Sequence, residues 1–206
     1  MKEEEFLDRL CKEEDKLVSD AVAAIGVENE GAYNLMEKEL PSTAVPVLLG
    51  LMRRVTHPAI KQGVIRALGT PSAKGVAERD LIRYFEEIPE TEWAWEDTKW
   101  VIANTLEILA SDEIGEDLIR LATESCHGRA RQMIVLSLGR LRSIQVLDTL
   151  IKLLGDEDVA GQAVVALGRL GDGRALPALQ PKLRDRRAWI RRAAKTSINK
   201  LSRPPK

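Results

Sequence analysis

The chain has 206 residues, a net charge of −1 and 44% hydrophobic residues, so it can bury a core, yet no apolar run approaches the roughly 20 residues of a membrane span. Aromatic residues make up only 4%, which favours closely packed helices over a β-sandwich. The two cysteines, Cys11 and Cys126, follow no disulfide or metal spacing, and no apolar leader follows a basic start. We therefore expect a cytoplasmic protein with free thiols.

Charge is distributed unevenly along the chain. Residues 1–40 carry 12 acidic and 5 basic side chains, and residues 78–98 carry 8 acidic and 2 basic ones. Residues 182–206 carry 10 basic side chains and one aspartate. A basic end of this kind attracts polyanions, although the basic cap of a repeat array has the same composition. Nucleic-acid binding through the basic C-terminal end therefore stays open as an alternative function.

The first predicted element is a helix over residues 3–25. Its apolar residues recur at steps of three and four, which predicts one buried stripe made of Phe6, Leu7, Leu10, Leu17, Ala21, Ala24 and Ile25. Gly26 is a natural stop for this helix. We expect residues 1–41 to form an acidic helical cap or a degenerate first repeat, because terminal repeats need a polar outer side.

From residue 42 the sequence predicts five helical hairpins, each with a first helix A and a second helix B. The predicted units are 42–75, 78–112, 115–144, 146–173 and 175–203. Their A helices are predicted at 44–54, 80–88, 116–123, 146–154 and 176–184, and their B helices at 58–68, 96–110, 129–141, 158–170 and 188–201.

The B helices end in a recurring phrase, seen most clearly as Ala67-Leu68-Gly69 and Ala166-Leu167-Gly168. Successive phrases are 38, 32, 29 and 31 residues apart, a period typical of stacked repeats. Each B helix also carries an apolar ladder with steps of four, three, one and three residues, which lie on one helix face. The third ladder position is small, so neighbouring helices can approach closely. These features predict an all-α right-handed superhelix, an α-solenoid, in which the phrase carries the fold.

The last unit has Asp185 before helix B, Ile190-Arg191 at its start, and then Ala194, Ser197-Ile198 and Leu201. A basic residue follows the first ladder position in three further units, at Lys61, Lys99 and Arg131, whereas the fourth unit has Ala160. This pattern resembles the HEAT repeat, in its short bacterial form the PBS-lyase HEAT-like repeat. The resemblance implies a binding scaffold. Some members of the family serve pigment attachment or DNA repair, so an accessory subunit of a bilin-lyase-like enzyme is a second alternative.

Residues 86–100 interrupt the repeat and lengthen one spacing to 38 residues. This segment is acidic and contains Trp93, Trp95 and Trp100. Tryptophan is favoured at interface hot spots, so we expect an acidic tryptophan-rich loop that contacts a partner. Filling of a gap between two uneven units is the alternative for Trp93 and Trp95, whereas the register of Trp100 places it beside the buried ladder.

The same register predicts a groove along the B helices. A mixed apolar and basic groove suits an acidic, partly hydrophobic protein or peptide. Packing against the next unit is the alternative for Met133 and Leu136. Besides the three tryptophans, the predicted contact residues are Arg66, Asn104, Gln132, Met133, Leu136, Arg140, Gln162, Val165, Arg169 and Arg192.

Candidate catalytic groups are few. His57 and His127 have no partner at metal-ligand spacing, and no glycine-rich phosphate loop is present. We expect Cys126 and His127 not to act as a nucleophile and base, because neighbouring side chains in a sequence usually point apart. The sequence therefore predicts a non-enzymatic scaffold without metal or cofactor, and it leaves the oligomeric state open.

Overall fold

A computed structural model of the protein describes residues 2–28, 31–89 and 93–202, with side chains at 4–28, 31–89 and 97–202. These residues form α-helices, short 3₁₀ turns and connections without any β-strand, which confirms the all-α class. None of the helices described is both long and apolar enough to cross a bilayer. The α-helices are α1 (Lys2–Ala23), α2 (Ala44–Arg54), α3 (Pro58–Ala67), α4 (Glu78–Glu87), α5 (Trp93–Leu109), α6 (Gly115–Thr123), α7 (Arg131–Leu138), α8 (Ile144–Leu153), α9 (Ala160–Leu170), α10 (Leu176–Leu179) and α11 (Ala188–Leu201).

The hairpins follow the predicted order from α2 to α11, and the chain divides into two compact units, Met1–Leu109 and Ala110–Lys206. We call them unit 1 and unit 2. In unit 1, α1 packs on α2 and α3, and α5 packs on α3 and α4. In unit 2, α7 packs on α6 and α9, and α9 packs on α8 and α11. The B helices of each unit thus pack side by side.

The predicted stripe on α1 is wrong. Phe6 and Leu7 are 52% and 42% exposed, whereas Val18 and Val22 are fully buried. The buried face also includes Glu14, whose carboxylate accepts hydrogen bonds from the backbone amides of Thr56 (2.8 Å) and His57 (2.8 Å). These amides precede α3, so Glu14 caps the start of that helix from α1. The spacing of apolar residues in the sequence cannot reveal that a glutamate lies on the buried face.

The predicted ladder of the B helices is confirmed in both units. In α3, α5 and α7 every ladder residue is buried, and only Leu170, Ile198 and Leu201 in α9 and α11 keep partial exposure. Small residues at the third position do allow close approach. Ser197 donates a hydrogen bond to the Val164 carbonyl of the neighbouring helix at 3.0 Å. Thr105 does the same to the Ile65 carbonyl at 3.2 Å in unit 1.

The glycine of the recurring phrase lies opposite this third position. A Cβ on Gly139 would come within 2.8 Å of the Ala166 Cα, and a Cβ on Gly168 would overlap Ser197. The recurring phrase therefore marks a contact between successive B helices. The glycine of one helix leaves room for the small side chain of the next helix.

Candidate binding surface

A depression of about 250 Å³ lies along the seam between α9 and α11 in unit 2. Gly168 and Ala193, which have little or no side chain, both line it. Two predicted contact residues, Val165 and Arg169, belong to it, and so does Lys200 of the following helix, which the same register also places in the groove. Sequence reasoning missed Ala193 and Thr196 of that helix. The full lining is Val165, Gly168, Arg169, Ala193, Thr196, Ser197 and Lys200.

The surroundings of this depression are basic. Helices α7, α9 and α11 contain no aspartate or glutamate. Exposed cations on α9 and α11 include Arg169, Arg192, Lys195 and Lys200. The helical acids of unit 2 lie on its A helices, α6 and α8. Within unit 2 the B-helix surface therefore carries net positive charge and favours an acidic ligand.

The other predicted residues of unit 2 lie on the same helices but outside the depression. Met133, Leu136 and Gln162 are half-buried, and Arg140 is exposed just beyond α7. The side-chain amide of Gln132 donates to the Asp158 carbonyl at 3.1 Å, which ties it to the turn before α9. These positions extend the surface along the B helices.

Trp189 is an aromatic residue of this region that the sequence did not reveal as a candidate. It is 43% exposed on α11, and its ring lies directly over Gly161 of α9. Gly161 occupies the register position of Trp100 and Gln132. A glycine where other units have a large residue is the signal that could have indicated a ring arriving from the next helix.

In unit 1 the corresponding surface lies on α3 and α5. Trp100 and Asn104 of α5 are half-buried, as are Gln62 and Arg66 of α3. The Arg66 guanidinium lies 3.5 Å from the Gln62 side-chain oxygen. The predicted positions beside the ladder, Trp100 among them, are thus partly open to solvent.

The prediction of a tryptophan-rich loop is wrong for the residues from Trp93 onward, which are helical. Helix α5 begins at Trp93, three residues before the predicted start of this B helix, so Trp93 and Trp95 belong to its first turn and not to a loop, whereas Trp100 lies in the helix as predicted. Residues 90–92 and the side chains of Trp93 and Trp95 lie outside the described residues. The reason for the difference is local: Trp93 to Lys99 contains no glycine or proline that would stop a helix.

Several arginines of the basic C-terminal end have intramolecular partners. Arg187 donates to Asp185 at 3.1 Å, and this contact, with the Arg187 backbone amide, lowers the pKa of Asp185 to about 2. Arg186 pairs with Glu157 at 2.8 Å, and Arg191 donates to the carbonyls of Asp185 and Arg186. These contacts fix the turn before α11 and neutralise part of its charge.

The basic residue after the first ladder position stabilises the fold through contacts with neighbouring segments. Arg131 is 1% exposed and donates to Asp156 at 2.8 Å, which joins α7 to the turn before α9. Burial alone raises the pKa of Asp156, but the hydrogen bond and charge of Arg131 and the amide of Asp158 outweigh it and lower the pKa. In unit 1, Lys61 donates to the Tyr84 hydroxyl at 2.8 Å.

The turn before α7 brings three polar groups together. The Cys126 Sγ lies 3.8 Å from Nδ1 of His127, and Nε2 of the same ring lies 2.8 Å from a carboxylate oxygen of Glu124. The expectation that Cys126 and His127 point apart is therefore wrong. Gly128, directly after the pair, has a positive φ of 52°, and this reversal leads the chain into α7.

Comparison with known protein families agrees with this architecture. A family model described as HEAT repeats matches residues 115–199, which span α6 to most of α11. The match covers the depression, the basic surface and the Arg131–Asp156 pair. No curated protein matches the chain.

Proposed function

We propose that this chain, which belongs to the HEAT repeat family, is a non-enzymatic scaffold that binds an acidic, partly apolar segment of a partner protein. HEAT repeats generally mediate contacts between proteins, and stacked repeats present extended surfaces suited to this task. The observation that carries the specific proposal is the depression between α9 and α11. It offers Val165 and Ala193 to an apolar side chain and Arg169 and Lys200 to carboxylates.

The chemistry of this surface favours a peptide over a nucleic acid. A nucleic-acid site needs cations arranged along a phosphate backbone, and three arginines, Arg186 and Arg187 before α11 and Arg191 in its first turn, already have carboxylate or carbonyl partners. The depression instead combines a small apolar pocket with two cationic side chains. That combination matches the apolar centre and polar rim of protein interfaces.

The experiment uses the full-length protein and a displayed library of short random peptides. We expect selection to enrich peptides with an apolar residue flanked by Asp or Glu, and we expect their affinity to fall with added salt. Lys200→Glu reverses one rim charge, and Ala193→Leu fills the depression. Each should weaken binding of the selected peptides about tenfold or more, a loss of about 1.4 kcal/mol.

The matched control is Lys152→Glu on α8, because it makes the same charge change on an exposed lysine of an A helix. This variant should bind the selected peptides as the unsubstituted protein does. Equal weakening by Lys152→Glu and Lys200→Glu would show that net charge alone drives binding. Enrichment without acidic residues, or preferred binding of a labelled oligonucleotide of similar length, would overturn the proposal.

A further inference from the structure

The turn between α6 and α7 is long and specialised. Seven residues, Glu124–Ala130, separate these helices, whereas three separate α2 from α3. The turn contains Cys126, exposed to solvent, and His127, which is only 8% exposed. These side chains play no part in the binding surface between α9 and α11, so their arrangement asks for a separate explanation.

The carboxylate of Glu124 fixes the tautomer of His127. A carboxylate accepts hydrogen bonds, so Nε2, at 2.8 Å from it, carries the proton of that contact. Nδ1 then presents its lone pair toward the Cys126 Sγ at 3.8 Å. The backbone also helps, since the His127 amide donates to the Glu124 carbonyl at 3.3 Å. The ring is therefore held between a thiol on one side and a carboxylate on the other.

We propose that Cys126 is an activated thiol, and that it forms mixed disulfides with low-molecular-weight disulfides such as oxidised glutathione. Nδ1 of His127 takes the thiol proton, and Glu124 stabilises the resulting imidazolium, as the third member of a triad does. Arg120, whose guanidinium lies 3.5 Å from the other oxygen of Glu124, holds that carboxylate in place. The arrangement stabilises a thiolate at an exposed sulfur, which is the nucleophilic form.

The exchange step balances without a further reagent. The Cys126 thiolate attacks one sulfur of the small disulfide, a new S–S bond forms, and the original S–S bond breaks. The leaving thiolate takes the proton from His127 Nδ1 and departs as a thiol. Cys126 is oxidised to a mixed disulfide while one sulfur of the reagent is reduced. Unit 2 contains no second cysteine to resolve the product, so the modification persists until an external thiol removes it.

A metal site is the competing interpretation, because the ligand atoms of Glu124, Cys126 and His127 lie within 4.8 Å of one another. The hydrogen bond between Nε2 and Glu124 argues against it. One nitrogen of His127 serves the carboxylate and the other faces the sulfur, so only Sγ and Nδ1 converge on one point. Zinc sites in proteins use three or four protein ligands, and this turn offers two.

Cys11 provides an internal comparison. It is partly buried on α1, and burial followed by the charges of Asp15, Asp8 and Glu14 raises the pKa of its thiol. Cys11 should therefore be mostly protonated at neutral pH. The two cysteines of one chain thus lie in different surroundings, Cys11 beside carboxylates and Cys126 beside an imidazole, and both can be followed in the same sample.

The test measures alkylation by iodoacetamide at each cysteine between pH 5 and 9, with peptide mass spectrometry, in folded and in urea-unfolded protein. Exposure alone cannot make a folded cysteine react faster than the same cysteine in an unfolded chain. We expect folded Cys126 to exceed its unfolded rate at pH 6.5 by about threefold for each unit by which its pKa is lowered, since a tenfold gain in thiolate is partly offset by lower nucleophilicity. Oxidised glutathione should modify Cys126 and spare Cys11.

Two variants separate the mechanism from a structural effect. Glu124→Gln, at a half-exposed position, should move the pH inflection of Cys126 toward that of an ordinary thiol, and His127→Gln should abolish the rate gain. Ser125→Ala in the same turn is the control and should leave the inflection unchanged. A folded Cys126 that reacts no faster than its unfolded form at any pH overturns the proposal. A second result would also overturn it: zinc protects Cys126 from alkylation in the unsubstituted protein and in Ser125→Ala, but not in Glu124→Gln. That result would assign the cluster to a metal.

Discussion

Replacement of Gly139 by alanine tests the contact on which the repeat depends. A Cβ at this position would lie 2.7 Å from the carbonyl oxygen and 2.8 Å from the Cα of Ala166, and 3.1 Å from the Cβ of Arg169. Two of these atoms are backbone atoms of α9, so no change of rotamer can move them aside. The added methyl group must push α7 and α9 apart. Overpacking of this kind costs about 1–3 kcal/mol.

A smaller effect acts in the opposite direction. Gly139 has a φ of −66°, which alanine adopts without strain, and alanine reduces the conformational entropy of the unfolded chain. This second effect stabilises a protein by about 0.4–1 kcal/mol. The net expectation for Gly139→Ala is therefore a loss of about 1.3 kcal/mol, between limits of about 0 and 2.6 kcal/mol. Gly173 of the same unit is the matched control, because a Cβ there meets no atom within 4 Å. Gly173→Ala should be neutral or stabilising by up to about 1 kcal/mol.

Urea unfolding followed by far-ultraviolet circular dichroism measures both variants, and hydrogen exchange of α9 amides reports the local effect in unit 2. In a thermal melt, each kcal/mol corresponds to about 2–4 °C for a chain of this size. Opposite signs for the same chemical change would establish that helix contact, not helix propensity, decides the result. A Gly139→Ala protein as stable as Gly173→Ala would refute the close packing of α7 on α9.

Further predictions concern the buried charges. Asp156→Asn removes the closer of the two carboxylates that pair with the almost fully buried guanidinium of Arg131, at 2.8 Å, and leaves Asp158 at 3.7 Å; it should cost about 1–3 kcal/mol in urea unfolding, and no change would show that the Asp156 pair does not stabilise the fold. The pKa of Asp185 is about 2 in the folded protein and near 3.9 when unfolded, so its contribution to stability is present above pH 4 and is lost as the pH falls toward 2. The urea midpoint should fall over that range and fall less in Asp185→Asn, and an equal acid slope in both proteins would contradict this origin. Glu14→Gln should likewise make the urea midpoint fall less at acid pH. Burial raises the pKa of Glu14, but hydrogen bonds from the backbone amides of His57 and Thr56 and from the Thr56 hydroxyl outweigh burial and lower the pKa.

Repetition made the B helices predictable. A residue that recurs at the same register in several units reports a contact made several times, as the ladder from Ile60 to Val64 and from Ile134 to Leu138 illustrates. The first helix had no such internal copy. Its apolar spacing could not show that the packing face includes a carboxylate, Glu14, which is buried because it caps α3. Single-copy contacts between distant segments leave no periodic trace in a sequence.

The same limit applies to the candidate sites. The register of Val165 and Arg169 indicated a surface beside the ladder, but the depression also needs Ala193 and Thr196 from the next helix. Which residues meet across a seam depends on how closely the two helices approach. Likewise, the pairing of Cys126 with His127 depends on the torsion angles that these two residues adopt in the 3₁₀ turn before α7, and the sequence does not reveal those angles.

Gly168 shows that the recurring phrase is more than a mark of the fold. Its missing side chain lets Ser197 pack against α9 and donate to the Val164 carbonyl, which fixes the distance between α9 and α11. Val165, Arg169 and Lys200 surround the depression at the same seam. A larger residue at 168 would meet Ser197 and push α9 and α11 apart, which would also reshape the depression between them. In a stacked array, the glycine that sets the helix spacing therefore also affects the surface that the two helices offer to a ligand.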